Sequence, residues 1–181
     1  MQISKKPWGT LMNRHLYHYT IAGILFTAIA GTLLHFAYEY SMENPLVAMF
    51  APVNESTWEH MKLVFFLSFL YMIAGWPFFM RSYPSYFQAY MTGLFTGTIS
   101  MVIIFYTYTG IWGNHCLILD ILTFLASVII TFSLSYQLVI QNCHLLPLPL
   151  LIFLVVLFMI CFFSFTFSPP EIAIFDTFRA K

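Results

Sequence analysis

Between Pro52 and Lys62 the chain reads Pro-Val-Asn-Glu-Ser-Thr-Trp-Glu-His-Met-Lys. Two carboxylates, an amide, hydroxyls, an imidazole and an ammonium crowd into a sequence in which only 8% of residues are charged. Elsewhere, His35 and His115 stand near the ends of other apolar runs, and Asp120 lies just inside one of them. Histidines from three helices with carboxylates beside them form a donor set suited to a borderline divalent cation such as zinc. His35, His60, His115 and Glu55 are therefore the candidate metal ligands. A metal so held activates water, and Glu59 or Asp120 would take up its proton. Ser56, four residues before His60, completes the catalytic candidates.

Each of these residues also has a structural use. Ser56-Thr57-Trp58-Glu59 has the spacing of a capping box, with Ser56 capping a helix and Glu59 reaching back to its start. Glu55 and Glu59, at i and i+4, are expected on one helix face, where they favour the positive end of the helix dipole. Asp120 can bond Asn114, His115 or Tyr108, and a histidine at a helix end can simply bond a carbonyl. An ionisable group inside an apolar span is costly and points to a partner, a cavity or a pathway. At 1.5 Å per residue, Asp120 lies about 7 Å below His115 along the helix axis.

The elements that would position these groups follow from the hydropathy. The composition is 60% hydrophobic and 20% aromatic, whereas a soluble domain is nearer half apolar and a quarter charged. Five apolar runs, at about 19–38, 61–80, 87–108, 116–139 and 145–167, each reach the ~20 residues that cross ~30 Å of hydrocarbon. Helices are expected because lipid leaves no partner for open backbone groups. The fold class is all-α: a polytopic membrane helix bundle of about five transmembrane helices, forming one domain over 1–181. Between the first two spans, Leu46 to Phe50 make an apolar patch flanked by Pro45 and Pro52, too short to span and read as interfacial or re-entrant. Ala28-Ile29-Ala30 resembles a signal cleavage site, but the run continues through Leu34, so a retained helix is expected.

Small residues set the packing. Gly23, Thr27 and Gly31 recur every four residues, and Gly93 and Gly97 have the G-x-x-x-G spacing that lets helices approach closely. For the latter pair, contact within one chain and a homo-oligomer face are both open. Cys116, Cys143 and Cys161 form no disulfide framework and no CxxC motif. No basic patch points to nucleic acid; the partners expected are membrane lipids.

Five spans put the two ends of the chain on opposite sides. Lys5, Lys6, Arg14 and Arg81 then lie in the cytoplasm and Lys62, Arg179 and Lys181 outside, which follows the positive-inside tendency. All seven acids map to the outer half. The tail from Ser168 to Asp176 is expected to fold back over that face, with Glu171 and Asp176 helping to close the site. Trp8, Trp58, Trp76 and Trp112 are read as belt residues, with Trp58 against the polar cluster.

The run PVNESTWEHMKL, joined to the PPEIAIF ending, resembles an uncharacterised family of small bacterial integral membrane proteins with a PVNES-x-WEH motif. That likeness covers nearly the whole chain and implies a bacterial membrane protein and the choice of motif, but no activity; the cytoplasmic amino terminus expected in a bacterial plasma membrane follows from the spans and charges. A looser likeness is to membrane hydrolases of the alkaline ceramidase and adiponectin-receptor type. Ser56 and His60 match their Ser-x-x-x-His spacing; their late His-x-x-x-His pair and further spans have no counterpart here. The leading expectation is a metal-dependent membrane hydrolase acting on a lipid or lipid-linked substrate. The rival is a non-enzymatic binding, transport or accessory subunit whose polar cluster is structural.

Overall fold

The computed structural model describes residues 7–176, with side chains from Asn13 onward. Lys5, Lys6, Arg179, Lys181 and the side chain of Trp8 lie outside the described residues.

Among the described residues the chain is all helical. Its order is α1 (Pro7–His35), α2 (Ala37–Tyr40), α3 (Pro45–Ala48), α4 (Thr57–Phe79), α5 (Tyr86–Trp112), α6 (Leu117–Ile140) and α7 (Leu148–Phe167), then a 3-10 turn at Ala173–Phe175. Five helices are long and apolar enough to cross a membrane: Asn13–His35 within α1, and α4 to α7 in full. This is a polytopic helical bundle.

The first run does not continue to Tyr38. Phe36 interrupts it, and its N–H turns back to the Leu33 carbonyl at 3.3 Å. α1 therefore ends on His35, at the rim of the bundle. The segment that follows forms two single-turn helices, α2 and α3. Met42 and Glu43 between them adopt left-handed backbone, φ 57° and 59°, and Asn44 caps α3 by accepting from Leu46 N at 2.9 Å.

α4 starts at Thr57. Ser56 is extended and its hydroxyl accepts the Glu59 N–H at 3.3 Å, so half of the capping box forms. Asn54 supplies the other half, accepting the Ser56 N–H at 2.9 Å. α4 then runs through Pro77 to Phe79. α5 ends at Gly113, whose φ of 78° closes the helix with a bond from its N–H to the Thr109 carbonyl at 2.8 Å.

The small residues act inside the chain. A Cβ on Gly93 would stand 2.5 Å from the Thr131 carbonyl, and one on Gly97 2.8 Å from that of Ser127, so α5 and α6 meet backbone to backbone. The face these glycines offer is thus occupied by α6. Gly23 and Gly31 likewise receive Phe132 and Phe124 of α6. Ser127, Thr131 and Ser135 line this seam, and each hydroxyl donates to the carbonyl four residues earlier, at 2.8, 2.9 and 2.7 Å. Those hydroxyls are used up by their own helix, which does not favour a polar path through the bundle.

Candidate metal centre

The two glutamates of the opening motif part company because the helix begins between them. Glu55 precedes the extended Ser56, so it shares no helical face with Glu59. The carboxylate of Glu55 turns towards α1 and stands between two imidazoles. His35 Nε2 lies 3.5 Å from Oε1, and His60 Nε2 lies 3.3 Å from Oε2. The rings are 5.0 Å apart between centroids. His35, Glu55 and His60 each offer a ligand atom within 4.8 Å of the others.

The second nitrogen of His60 decides what the first can do. His60 Nδ1 sits 2.8 Å from the Ser56 carbonyl, an acceptor only, so Nδ1 must carry a proton. A neutral His60 then aims the Nε2 lone pair at a carboxylate. Two acceptors face each other there unless a proton or a cation lies between them. The separations leave room for a cation. A charge-assisted N–H···O bond is about 2.7–2.9 Å long. Ligands at ~2.0–2.1 Å around a tetrahedral zinc stand roughly 3.3 Å apart. The backbone bond also fixes tautomer and ring direction, as partners of metal-bound histidines commonly do. With a proton rather than a cation between them, the hydrogen bond from His60 holds the Glu55 carboxyl below the usual carboxylate range, against the partial burial that would raise it.

His115 and Asp120 line the same cavity as His35, Glu55 and His60, but His115 does not join their close donor group. Its Nδ1 pairs with Asp120 Oδ2 at 3.2 Å, and Asp120 Oδ1 accepts from the Tyr108 hydroxyl. A carboxylate on Nδ1 orients the ring and leaves Nε2 as its basic nitrogen. Asp120 thus lines the cavity while bonding both His115 and Tyr108.

Glu59 and Ser56 do not line the cavity. Glu59 is 2% exposed and turns to the opposite side of α4. There Oε2 accepts from Lys62 Nζ at 2.5 Å and from the Val53 N–H at 3.0 Å. Lys62, fully buried, also donates to the Ala48 carbonyl at 2.8 Å and to the Thr166 hydroxyl at 2.9 Å. Thr166 sends its proton to the Phe162 carbonyl at 2.7 Å. This closed network holds the α3 segment and α7 against α4. The Ser56 hydroxyl is the helix cap, so as a site residue Ser56 contributes its carbonyl.

Trp58 also faces away from the metal donors, stacking on Phe162 and Phe175 at centroid distances of 4.8 and 5.0 Å. The tail does fold back, and the Tyr106 hydroxyl donates to the Ala173 carbonyl at 2.8 Å. Glu171 and Asp176 are exposed and do not line the cavity. The cavity has a volume of about 290 Å³.

The comparisons bear on the whole chain. A model described as "Family of unknown function (DUF6512)" matches residues 9–180. The chain belongs to that family. No curated protein and no solved structure matches it. DUF6512 membership covers the full bundle and the tail together with the site, and assigns no chemistry to either.

Sequence reading missed the Ser56 carbonyl, although the i, i+4 spacing of Ser56 and His60 was the available signal. It also missed Thr166, which no local pattern marks because it lies 104 residues from Lys62.

Proposed function

We propose that this protein is a metal-dependent membrane hydrolase acting on a lipid or lipid-linked ester. One observation carries the reading: two imidazole nitrogens converge on one carboxylate, and His60 is already committed through Nδ1 to a backbone carbonyl. His35, Glu55 and His60 would hold a divalent cation such as zinc. Two histidines and a glutamate, with a further position open, are a known catalytic zinc set. Such a cation lowers the pKa of its water and polarises the ester.

The chain's own groups supply the rest. His115, held by Asp120 and Tyr108, takes a proton from water at Nε2 as the water oxygen bonds to the ester's electrophilic atom. It returns that proton to the leaving oxygen as the ester bond breaks, so the products are an acid and an alcohol. Apolar side chains such as Leu63 and Phe124 around the polar groups suit a substrate drawn from the membrane. In this reading the site faces outward from a bacterial plasma membrane, with the amino terminus in the cytoplasm. Reporters fused after Ser82 and after Trp112 should then appear on opposite sides; both on one side would overturn the five-span topology.

Metal analysis of the purified protein tests the centre. The wild type should carry about one divalent ion per chain. His60→Ala and His35→Ala should carry less than about a tenth of that while keeping native helix content. A wild type that folds normally and holds no metal after zinc loading sinks the proposal.

A further inference from the structure

The cavity does not end at the polar cluster. On α5, Met101 lines it seven residues from Tyr108, which is about 10 Å along the axis. On α4, Leu63 lies one turn past His60, and on α6, Phe124 lies one turn past Asp120. Leu63, Met101 and Phe124 are 3%, 5% and 9% exposed, so they form a dry apolar floor. The ionisable groups gather at one end of a slot whose other end is mainly hydrocarbon, with Thr123 next to Phe124 in its lining.

The wall between α1 and α6 is open. Phe36 beside the end of α1, and Leu117 and Ile121 at the start of α6, line the cavity and are 47%, 72% and 51% exposed. Deeper down, α1 and α6 close on each other where Phe124 meets Gly31. Leu117 and Ile121 of this gap belong to a candidate span and Phe36 lies just past the end of another, so the exposed apolar rim sits where those spans end. A volume of about 290 Å³ stands at the lower limit of the ~300–1,000 Å³ typical of small-molecule pockets. That suits a single alkyl chain, not the paired chains of a diacyl lipid.

We propose that the cavity binds a monoacyl amphiphile. It enters sideways from the membrane between α1 and α6, lays its acyl chain on Leu63, Met101 and Phe124, and holds its ester at His35, Glu55, His60 and His115. The inference deepens the hydrolase reading and rests on it for the ester end alone. The chain-binding half is set by the shape and polarity of the slot. Gly31 and Phe124 mark its depth and so limit the length of chain accepted.

The test uses the full chain in vesicles and a dodecanoyl monoglyceride with a diazirine at the end of its acyl chain. Light should join the probe to peptides containing Met101 or Phe124. Wild type treated with a chelator should label at the same positions, because the chain-binding half does not need the metal. Thr32→Trp, at the exposed cavity wall, should lower labelling about tenfold, equivalent to roughly 1.4 kcal/mol of binding. Met101→Ala, which deepens the slot, should shift preference to a longer-chain probe and guards against reading a misfolded tryptophan variant as support. A diacyl version of the probe should leave the floor unlabelled. Labelling spread over the outer surface of α7, with no preference for Met101 or Phe124, would overturn the proposal, as would labelling unchanged in both cavity variants. A labelled floor in a metal-free wild type keeps the slot and removes the hydrolase. A metal-loaded protein with an unlabelled floor does the reverse.

Discussion

Glu55 and Glu59 are four residues apart, yet they belong to opposite kinds of polar cluster. Around Glu59 the accounting closes: Lys62 has three acceptors, and the carboxylate takes up both the ammonium and a backbone N–H. Glu59 and Lys62 are both buried. Around Glu55 the accounting stays open. Two imidazole nitrogens and two carboxylate oxygens face one another at 3.3 and 3.5 Å, His60 Nδ1 is already engaged, and the Glu55 side chain is 67% exposed. A satisfied cluster has no remaining capacity for a ligand, so it serves the fold. A cluster left reachable at a cavity mouth is where a ligand finds partners. The difference arises from one backbone feature, the extended Ser56, which places Glu59 inside the helix and leaves Glu55 outside it.

The closed cluster should be the more costly to break. Lys62→Ala strands a buried carboxylate and should destabilise the protein by about 3–5 kcal/mol. Replacing both partners, as in Glu59→Leu with Lys62→Met, should recover most of that, because a well-packed apolar pair tolerates burial better than a lone charge. Thermal unfolding in detergent measures both. An unshifted midpoint for Lys62→Ala would remove the contrast drawn above. The open cluster should respond the other way round. Glu55→Gln should weaken metal binding at least about 100-fold, beyond the 10–100-fold typical of an outer partner, yet change stability by no more than about 0.5 kcal/mol. Zinc titration against a competing chelator separates the two effects.

How far the sequence foretells this depends on whether a feature is local. The five spans and the fold class follow from hydropathy, because lipid imposes one rule on every helix. Boundaries were less legible. The run through Tyr38 is apolar enough to continue, and only the backbone at Phe36 shows that α1 stops on His35. His35, Glu55 and His60 were readable as donors, but their convergence needed the tertiary fold, since the loop from Phe36 to Ser56 returns Glu55 to the end of α1. Glu55 and Glu59 were expected on one helix face because an i, i+4 rule was applied across a helix start, whereas Glu59 does not line the cavity. Its partner Thr166 could not have been named, as a threonine in an apolar helix carries no mark of the lysine it will meet.

A smaller effect separates cap from nucleophile. Ser56→Ala removes the bond to the Glu59 N–H and should cost about 1 kcal/mol, as loss of an N-cap does. It leaves the backbone carbonyl that holds His60, so metal content should stay at the wild-type level. Loss of metal in a folded Ser56→Ala protein would show that the hydroxyl belongs to the site after all.

The smallest effect is the pH response of Glu55, measured with metal removed by chelation. Its carboxyl is held below the usual carboxylate range chiefly by the His60 ring. A carboxyl depressed in the folded state contributes stability at pH values above its unfolded value, about 4.3. That contribution fades as pH falls through the lower folded value. The wild type should therefore lose slightly more stability than Glu55→Gln between neutral pH and the acid range below 4.3. The difference should be only a fraction of a kcal/mol, because an exposed pair is screened by solvent. An equal or steeper acid loss in Glu55→Gln would mean that His60 does not favour the charged carboxylate. The two clusters would then differ in burial alone, and the His60–Glu55 contact would be one of position rather than of charge.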